Sequence, residues 1–345
     1  MRDHPSLSTL HFKDWVVKKF FIKVFLLLIL PIVLPLGAAI IFSSLPENAY
    51  DLSIIDKHRI LADTKGSKIA LAGGSNLAFG IDSAAIRDRF SIPVVNMGVN
   101  AGFGLGRILD DISRFLKTGD VLLIVPEYSH FVDSWNGSGA AFELIFDARQ
   151  YRFLWSSYYG LPGGFSDQIS MRLGIGFRTI RDRTKNSIEK IIKQSENEQD
   201  KEETTANPLV YSRYGFNEYG DYMRHLAVEN QPFVSYENAG IINMAYLLKF
   251  FRFIDNFTNR GITVMLSYPS YEEQSFRNSA ELIKELDMLF RAKENLQVIS
   301  TPETYCFPAE YFYDSPYHLN REGRAVRTNQ LIRDLQESGL LSQSP

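Results

Sequence analysis

The sequence predicts an α/β protein built on a three-layer, flavodoxin-like parallel sheet of five strands in the order 2-1-3-4-5. Three observations carry that expectation. Short apolar runs at 68–72, 94–97, 121–125, 262–267 and 296–300 have the composition of strands covered on both faces. Helical segments at 105–116, 240–259 and 275–293 lie between or before them, which is the rhythm of parallel strands joined by crossovers. The first run ends in Gly73-Gly74 and passes at once into a helical pattern containing Leu77, Ile81 and Ile86, the tight strand-to-helix turn of an open parallel sheet.

In chain order, residues 1–19 are polar and basic and read as a cytoplasmic tail. Residues 20–45, FFIKVFLLLILPIVLPLGAAIIFSSL, contain an uncharged stretch at 24–42, long enough for a transmembrane helix despite Pro31 and Pro35. With Arg2, Lys13, Lys18 and Lys19 ahead of it, the expectation is an uncleaved single-pass anchor in the inner (plasma) membrane, the remainder lying in the periplasm or otherwise outside. A cleaved signal peptide or a buried helix are the rival readings. Residues 46–65 read as a stalk and 66–345 as the α/β domain, with an insertion at about 134–235 that is rich in aromatics and carries a charged run at 193–205. The single cysteine, Cys306, excludes an internal disulfide, and a net charge of -3 gives no sign of a nucleic-acid partner.

Ser75 follows the two glycines. A hydroxyl at the carboxyl end of a parallel strand faces the crevice where such sheets bind ligands, although it could equally cap the helix. A serine nucleophile needs a base, and the base needs an acid to orient it. The segment YFYDSPYHLNREG supplies Asp314 and His318 four residues apart, immediately before a helix that Asn320 can cap. Glu127 and His130, after the third strand, are candidates for contacting substrate or a metal, against the plainer reading of His130 as a satisfied loop histidine. Asp82 reads as a helix-start residue. The clustered glycines after Asn100 do not fit a dinucleotide fingerprint, and no cofactor or resident metal is expected. Tyr158, Tyr159, Phe165, Tyr211, Tyr214, Phe216 and Tyr219 suit either a sugar-binding surface or core packing.

These blocks, AGGSNLAFGID, VVNMGVNAG and DSPYH, resemble those of membrane-anchored members of the SGNH/GDSL hydrolase superfamily. The resemblance covers 66–133 and 261–338. It implies a catalytic trio of Ser75, His318 and Asp314, with the oxyanion held by the Ser75 and Gly98 N–H groups and the Asn100 amide. VPEYSHF stands where the family has a third-block asparagine, so Glu127 replaces a donor, and the final block is one residue longer than D-x-x-H. The function implied is a serine-dependent O-acyl esterase or acyltransferase on an acylated glycan or envelope polymer, working beside other envelope-biosynthesis membrane proteins. The alternative is a non-catalytic binding or assembly component of polysaccharide export.

Overall fold

The computed structural model describes residues 7–42, 45–146, 210–237 and 240–340. Tyr158, Tyr159, Phe165 and the charged run at 193–205 lie outside them. The chain divides into two compact units, 1–44 with 166–203 and 45–165 with 204–345, and each is taken by itself.

In the first unit the described element is helix α1, Leu7–Phe42. The expectation of a membrane-crossing helix is overturned here: among the described residues no helix is long and apolar enough to cross a membrane. The single-pass anchor and the inner-membrane placement drawn from it fall together.

The second unit contains a parallel five-stranded sheet: β1 (Ile69–Gly73), β2 (Val94–Asn96), β3 (Val121–Val125), β4 (Thr263–Leu266) and β5 (Gln297–Val298), in the order β2-β1-β3-β4-β5. The alternation along β1 and β3 explains the layers. Ala70, Ala72, Leu122 and Ile124 join one buried cluster, whereas Ile69, Leu71, Leu123 and Val125 join another on the opposite face. Both faces are therefore covered, and the continuous apolar composition of these strands follows. Helices α2 (Ser53–Asp63), α5 (Leu105–Ser113), α7 (Met244–Asn259) and α9 (Ala280–Arg291) contribute to the first cluster. Helices α3 (Ser75–Gly80), α4 (Ser83–Phe90) and α10 (Arg321–Glu337) contribute to the second. Two further helices, α6 (Gly139–Phe146) and α8 (Glu273–Asn278), and a two-stranded parallel pair, Tyr271–Glu272 with Cys306–Phe307, complete the described elements besides short 3-10 turns.

Local chemistry sets the element boundaries. The single helix expected after Ser75 is two, because Asp82 caps α4 by accepting from the Ala85 N–H. Asn320 caps α10 through the Gly323 N–H. The segment read as a stalk packs into the domain core through Ile54 and Leu61 of α2. The sheet register matters most for the site. Gly73 pairs with Val125, so Ser75 and Glu127 each stand two residues beyond a level strand end; Leu71 pairs with Asn96, which brings Gly98 level with Gly73 on the other side.

Candidate active site

Ser75 is the first residue of α3, and it is the single half-buried position in a run from 68 to 81 that is otherwise buried. Gly74 holds the N-cap position and no side chain caps the helix, so the capping alternative for Ser75 is excluded. The Glu127 carboxyl stands at the neighbouring strand end, where the paired ends of β1 and β3 set residues 75 and 127 side by side. The turn requires glycine for space: a Cβ on Gly74 would lie 2.5 Å from Glu127 Oε1, and one on Gly98 would lie 2.6 Å from the Gly74 carbonyl oxygen.

Across the crevice, the loop between Phe312 and Leu319 is pinned by an antiparallel bridge between those two residues and by the Tyr313 N–H donating to the His318 carbonyl (2.7 Å). That geometry brings His318 Nδ1 to 2.7 Å from Asp314 Oδ1. The Tyr211 hydroxyl donates to Asp314 Oδ2 at 2.5 Å and lies 3.3 Å from His318 Nδ1. Burial works against ionisation of Asp314, but the His318 contact and the Tyr211 hydroxyl outweigh it and hold the carboxyl below its ordinary value. The acid is thus ionised, with one oxygen on the imidazole and the other on a phenol.

The imidazole of His318 stacks on Phe79, ring centroids 4.1 Å apart and planes 11° from parallel. Phe79 is four residues after Ser75, on the same side of α3. Phe79 thus links α3 to the group of His318, Asp314 and Tyr211, while among the described residues no hydrogen bond joins the Ser75 hydroxyl to His318. With Nδ1 on Asp314, Nε2 is the ring nitrogen left for proton exchange.

Glu127 is 6 % exposed. Its carboxyl receives the Asn76 side-chain amide at 3.3 Å. Burial nonetheless pushes it up from the ordinary carboxylate value, with His318, Asn76 and Ser75 beside it pulling the other way. His130 is fully buried, accepts the Glu127 N–H at Nδ1 (3.1 Å) and meets the Ala101 carbonyl through Nε2 (3.1 Å). Burial lowers it to about 4, so it is a neutral strut with both nitrogens occupied, and the expectation that it contacts substrate has no geometric support.

The expected oxyanion donors are differently engaged. The Gly98 N–H donates to Asn96 Oδ1 (3.0 Å), and Asn100 donates to Asp51 Oδ1 (3.1 Å) while accepting the Gly102 N–H (2.8 Å). Only the Ser75 N–H keeps the character expected, since a first-turn helical N–H has no intrahelical acceptor.

Three groups that the sequence reading passed over support the site. Asp221, fully buried, accepts from the Ser83 N–H (2.8 Å), the Ser83 hydroxyl (2.6 Å), Asn96 Nδ2 (2.9 Å) and Arg324 Nη2 (3.3 Å), tying the end of β2 to α4 and α10. Lys57, buried in α2, donates to the carbonyls of Asn96 (3.0 Å), Gly98 and Gly220 (2.6 Å). Tyr50 donates to the Val99 carbonyl and packs among Phe79, Tyr211, Phe216 and Tyr222. The aromatic set is mixed in role: Phe216 and Tyr222 pack in that cluster, whereas Tyr211 and Tyr214 are 41 % and 58 % exposed. Among the described residues, no group of three or more His, Cys, Asp or Glu side chains could hold a metal ion.

No protein-family model matches this chain, and no curated protein matches it either. The resemblance to SGNH/GDSL hydrolases is overturned by that result. The engaged Gly98 N–H and Asn100 amide give a physical reason: the block-two residues that would carry the family's oxyanion chemistry serve local structure here.

Proposed function

We propose that this protein is a serine-dependent O-acyl esterase or O-acyltransferase. One observation carries the reading: the ionised Asp314 holds Nδ1 of an imidazole that stacks on Phe79, one helical turn from the half-buried Ser75 hydroxyl at the carboxyl end of β1. In this mechanism Ser75 Oγ attacks the ester carbonyl carbon while His318 Nε2 takes its proton. Asp314 keeps the imidazole in the tautomer with the proton on Nδ1 and stabilises the imidazolium. His318 then gives the proton to the departing alkoxide, leaving an acyl ester on Ser75. Water or a second hydroxyl, deprotonated by the same nitrogen, removes the acyl group and restores the serine.

The envelope polymer was inferred from the membrane anchor, and it loses its basis with the anchor. What supports an ester of any origin is the nucleophile, base and acid themselves. The test is turnover of a generic acetyl ester by wild type and by Ser75→Ala. Saturable turnover that disappears in Ser75→Ala supports the reading, and equal rates in the two proteins overturn it.

A further inference from the structure

We propose that Lys57 is a built-in cation: its ammonium fills a cage of three main-chain carbonyls beside an aromatic face, and by holding that cage it fixes the turn that carries Ser75, a task that potassium or ammonium ions can take over when the side chain is cut away. The cage owes nothing to the ester chemistry above, whereas its effect on turnover rests on that reading.

The cage lies where three segments meet. Lys57 is buried in α2. Its Nζ donates to the carbonyl of Asn96, the last residue of β2 (3.0 Å), to that of Gly98 two residues on, and to that of Gly220 (2.6 Å). The Phe216 ring faces the same nitrogen, its centroid 4.3 Å away. Three acceptors and a ring face complement an ammonium group, which has three N–H donors and no lone pair; a neutral amine has one donor too few. Main-chain carbonyls in place of a hydration shell are also how proteins hold potassium. The oxygens of Asp221, the residue after Gly220, are occupied by Ser83, Asn96 and Arg324. Lys57 is therefore held by carbonyl dipoles.

Two glycines show that the chain is shaped around this contact. Gly220 has φ +90°, and a Cβ there would strike the Asn96 carbonyl oxygen and lie 3.5 Å from Lys57 Nζ. The Asn96 N–H donates to the Tyr219 carbonyl (2.8 Å), so the 217–220 turn and the end of β2 are tied together at the cage. Gly98 carries the effect to the site. A Cβ on Gly98 would lie 2.6 Å from the Gly74 carbonyl oxygen and 3.0 Å from the Ala78 nitrogen, so its bare Cα rests on the first turn of α3, which begins at Ser75. Holding the Gly98 carbonyl holds the surface on which that turn sits. Without the ammonium, three carbonyls lose a donor in a place where unpaired polar groups are costly. Lys57 is thus a positioning residue, acting through Gly98.

The experiment measures urea midpoints, and kcat/KM on a generic acetyl ester, for the full chain as wild type, Lys57→Ala and Lys57→Met, in KCl, NH4Cl or choline chloride at equal ionic strength. Burial draws the Lys57 amine down to about 7, so the comparison is made at pH 6, where the ammonium form prevails. Potassium and ammonium are small enough for a carbonyl cage and choline is not, while methionine fills the space without a charge. In choline chloride Lys57→Ala should lose about 10²-fold in kcat/KM through misplacement of the nucleophile. Raising potassium or ammonium should restore both its midpoint and its turnover, saturably, as expected of a ligand that binds only the folded chain. Wild type and Lys57→Met should each behave the same in the three salts. A Lys57→Ala midpoint that is equal in the three salts, a Lys57→Met that responds as Lys57→Ala does, or a Lys57→Ala that refolds in none of them overturns the cage. A saturable rise in midpoint with kcat/KM at the wild-type level throughout overturns the hold on Ser75. A saturable rise in midpoint with no ester turnover in wild type supports the cage and overturns the esterase reading instead.

Discussion

Two histidine–carboxylate pairs in this domain differ in what surrounds them. His58 of α2 meets Asp111 of α5, and the histidine lies flat against Phe115 with ring centroids 5.4 Å apart. The Asp111 side chain is 3 % exposed and borders an apolar cavity of about 10 Å³, lined also by Ile54, Met97, Phe103 and Leu144. That space is at the lower limit for one water and too small for a substrate. His318 and Asp314 are also paired and also stacked on a phenylalanine, but their side chains are 13 % and 18 % exposed at the sheet edge where Ser75 emerges. A buried histidine–carboxylate contact fastens two helices in the first case. The second has the same two side chains with access, stacked on a phenylalanine one helical turn from the Ser75 hydroxyl, so location in the fold, more than the pair itself, separates structure from chemistry.

The sharpest way to break this contrast is to remove its reactive members. Ser75→Ala should reduce ester turnover by about 10⁴-fold or more, and His318→Ala nearly as much, because residues acting as one unit lose comparable amounts singly. Steady-state kinetics on folded protein is the check. Asp314→Asn should cost up to about 10⁴-fold, less if solvent can orient the ring in its place. His58→Asn, in the other pair, should leave kcat/KM of the folded protein unchanged and lower the urea midpoint. Comparable kinetic losses in both pairs would erase the distinction.

A second contrast is between residues that hold the site and residues that react. Asp221→Ala should destabilise the domain by about 3–5 kcal/mol, since it leaves the Arg324 guanidinium and the Ser83 and Asn96 donors without their buried carboxylate. Chemical denaturation reads this directly. Tyr211→Phe removes one hydrogen bond from Asp314 and should cost about 0.5–1.5 kcal/mol in transition-state stabilisation, roughly a two- to tenfold loss of kcat/KM. A smaller effect still is expected in the acid limb of stability. Asp314 is held below its ordinary value when folded, so its contribution is fully present above the unfolded carboxylate value and is lost as pH falls through the folded one. The difference in unfolding free energy between wild type and Asp314→Asn should therefore be flat at neutral pH and shrink in acid.

These residues were unevenly legible in the sequence. The strands could be read because both-face burial leaves unbroken apolar runs, as at 121–125. Ser75 was legible from the glycines before it, and Asp314 with His318 from their spacing in one loop. Asp221 and Tyr211 were not, because each gains its role from partners more than a hundred residues away. Glu127 was visible as a departure from a donor asparagine, but its place beside Ser75 depends on the β1–β3 register, which no local pattern encodes. Gly98 and Asn100 misled for a related reason: a glycine and an asparagine after a strand look like oxyanion donors until Asn96 and Asp51 are found on them.

The central claim is that Ser75 is an activated nucleophile with His318 as its base. The most direct measurement is the rate of labelling by a serine-directed fluorophosphonate at neutral pH, with the modified residue located by peptide mass, in wild type, Ser75→Ala and His318→Ala. The account predicts one adduct, on Ser75, absent from Ser75→Ala and slowed by about 10³-fold or more in His318→Ala. An unlabelled Ser75 in folded wild type, or labelling at the same rate without His318, would contradict it.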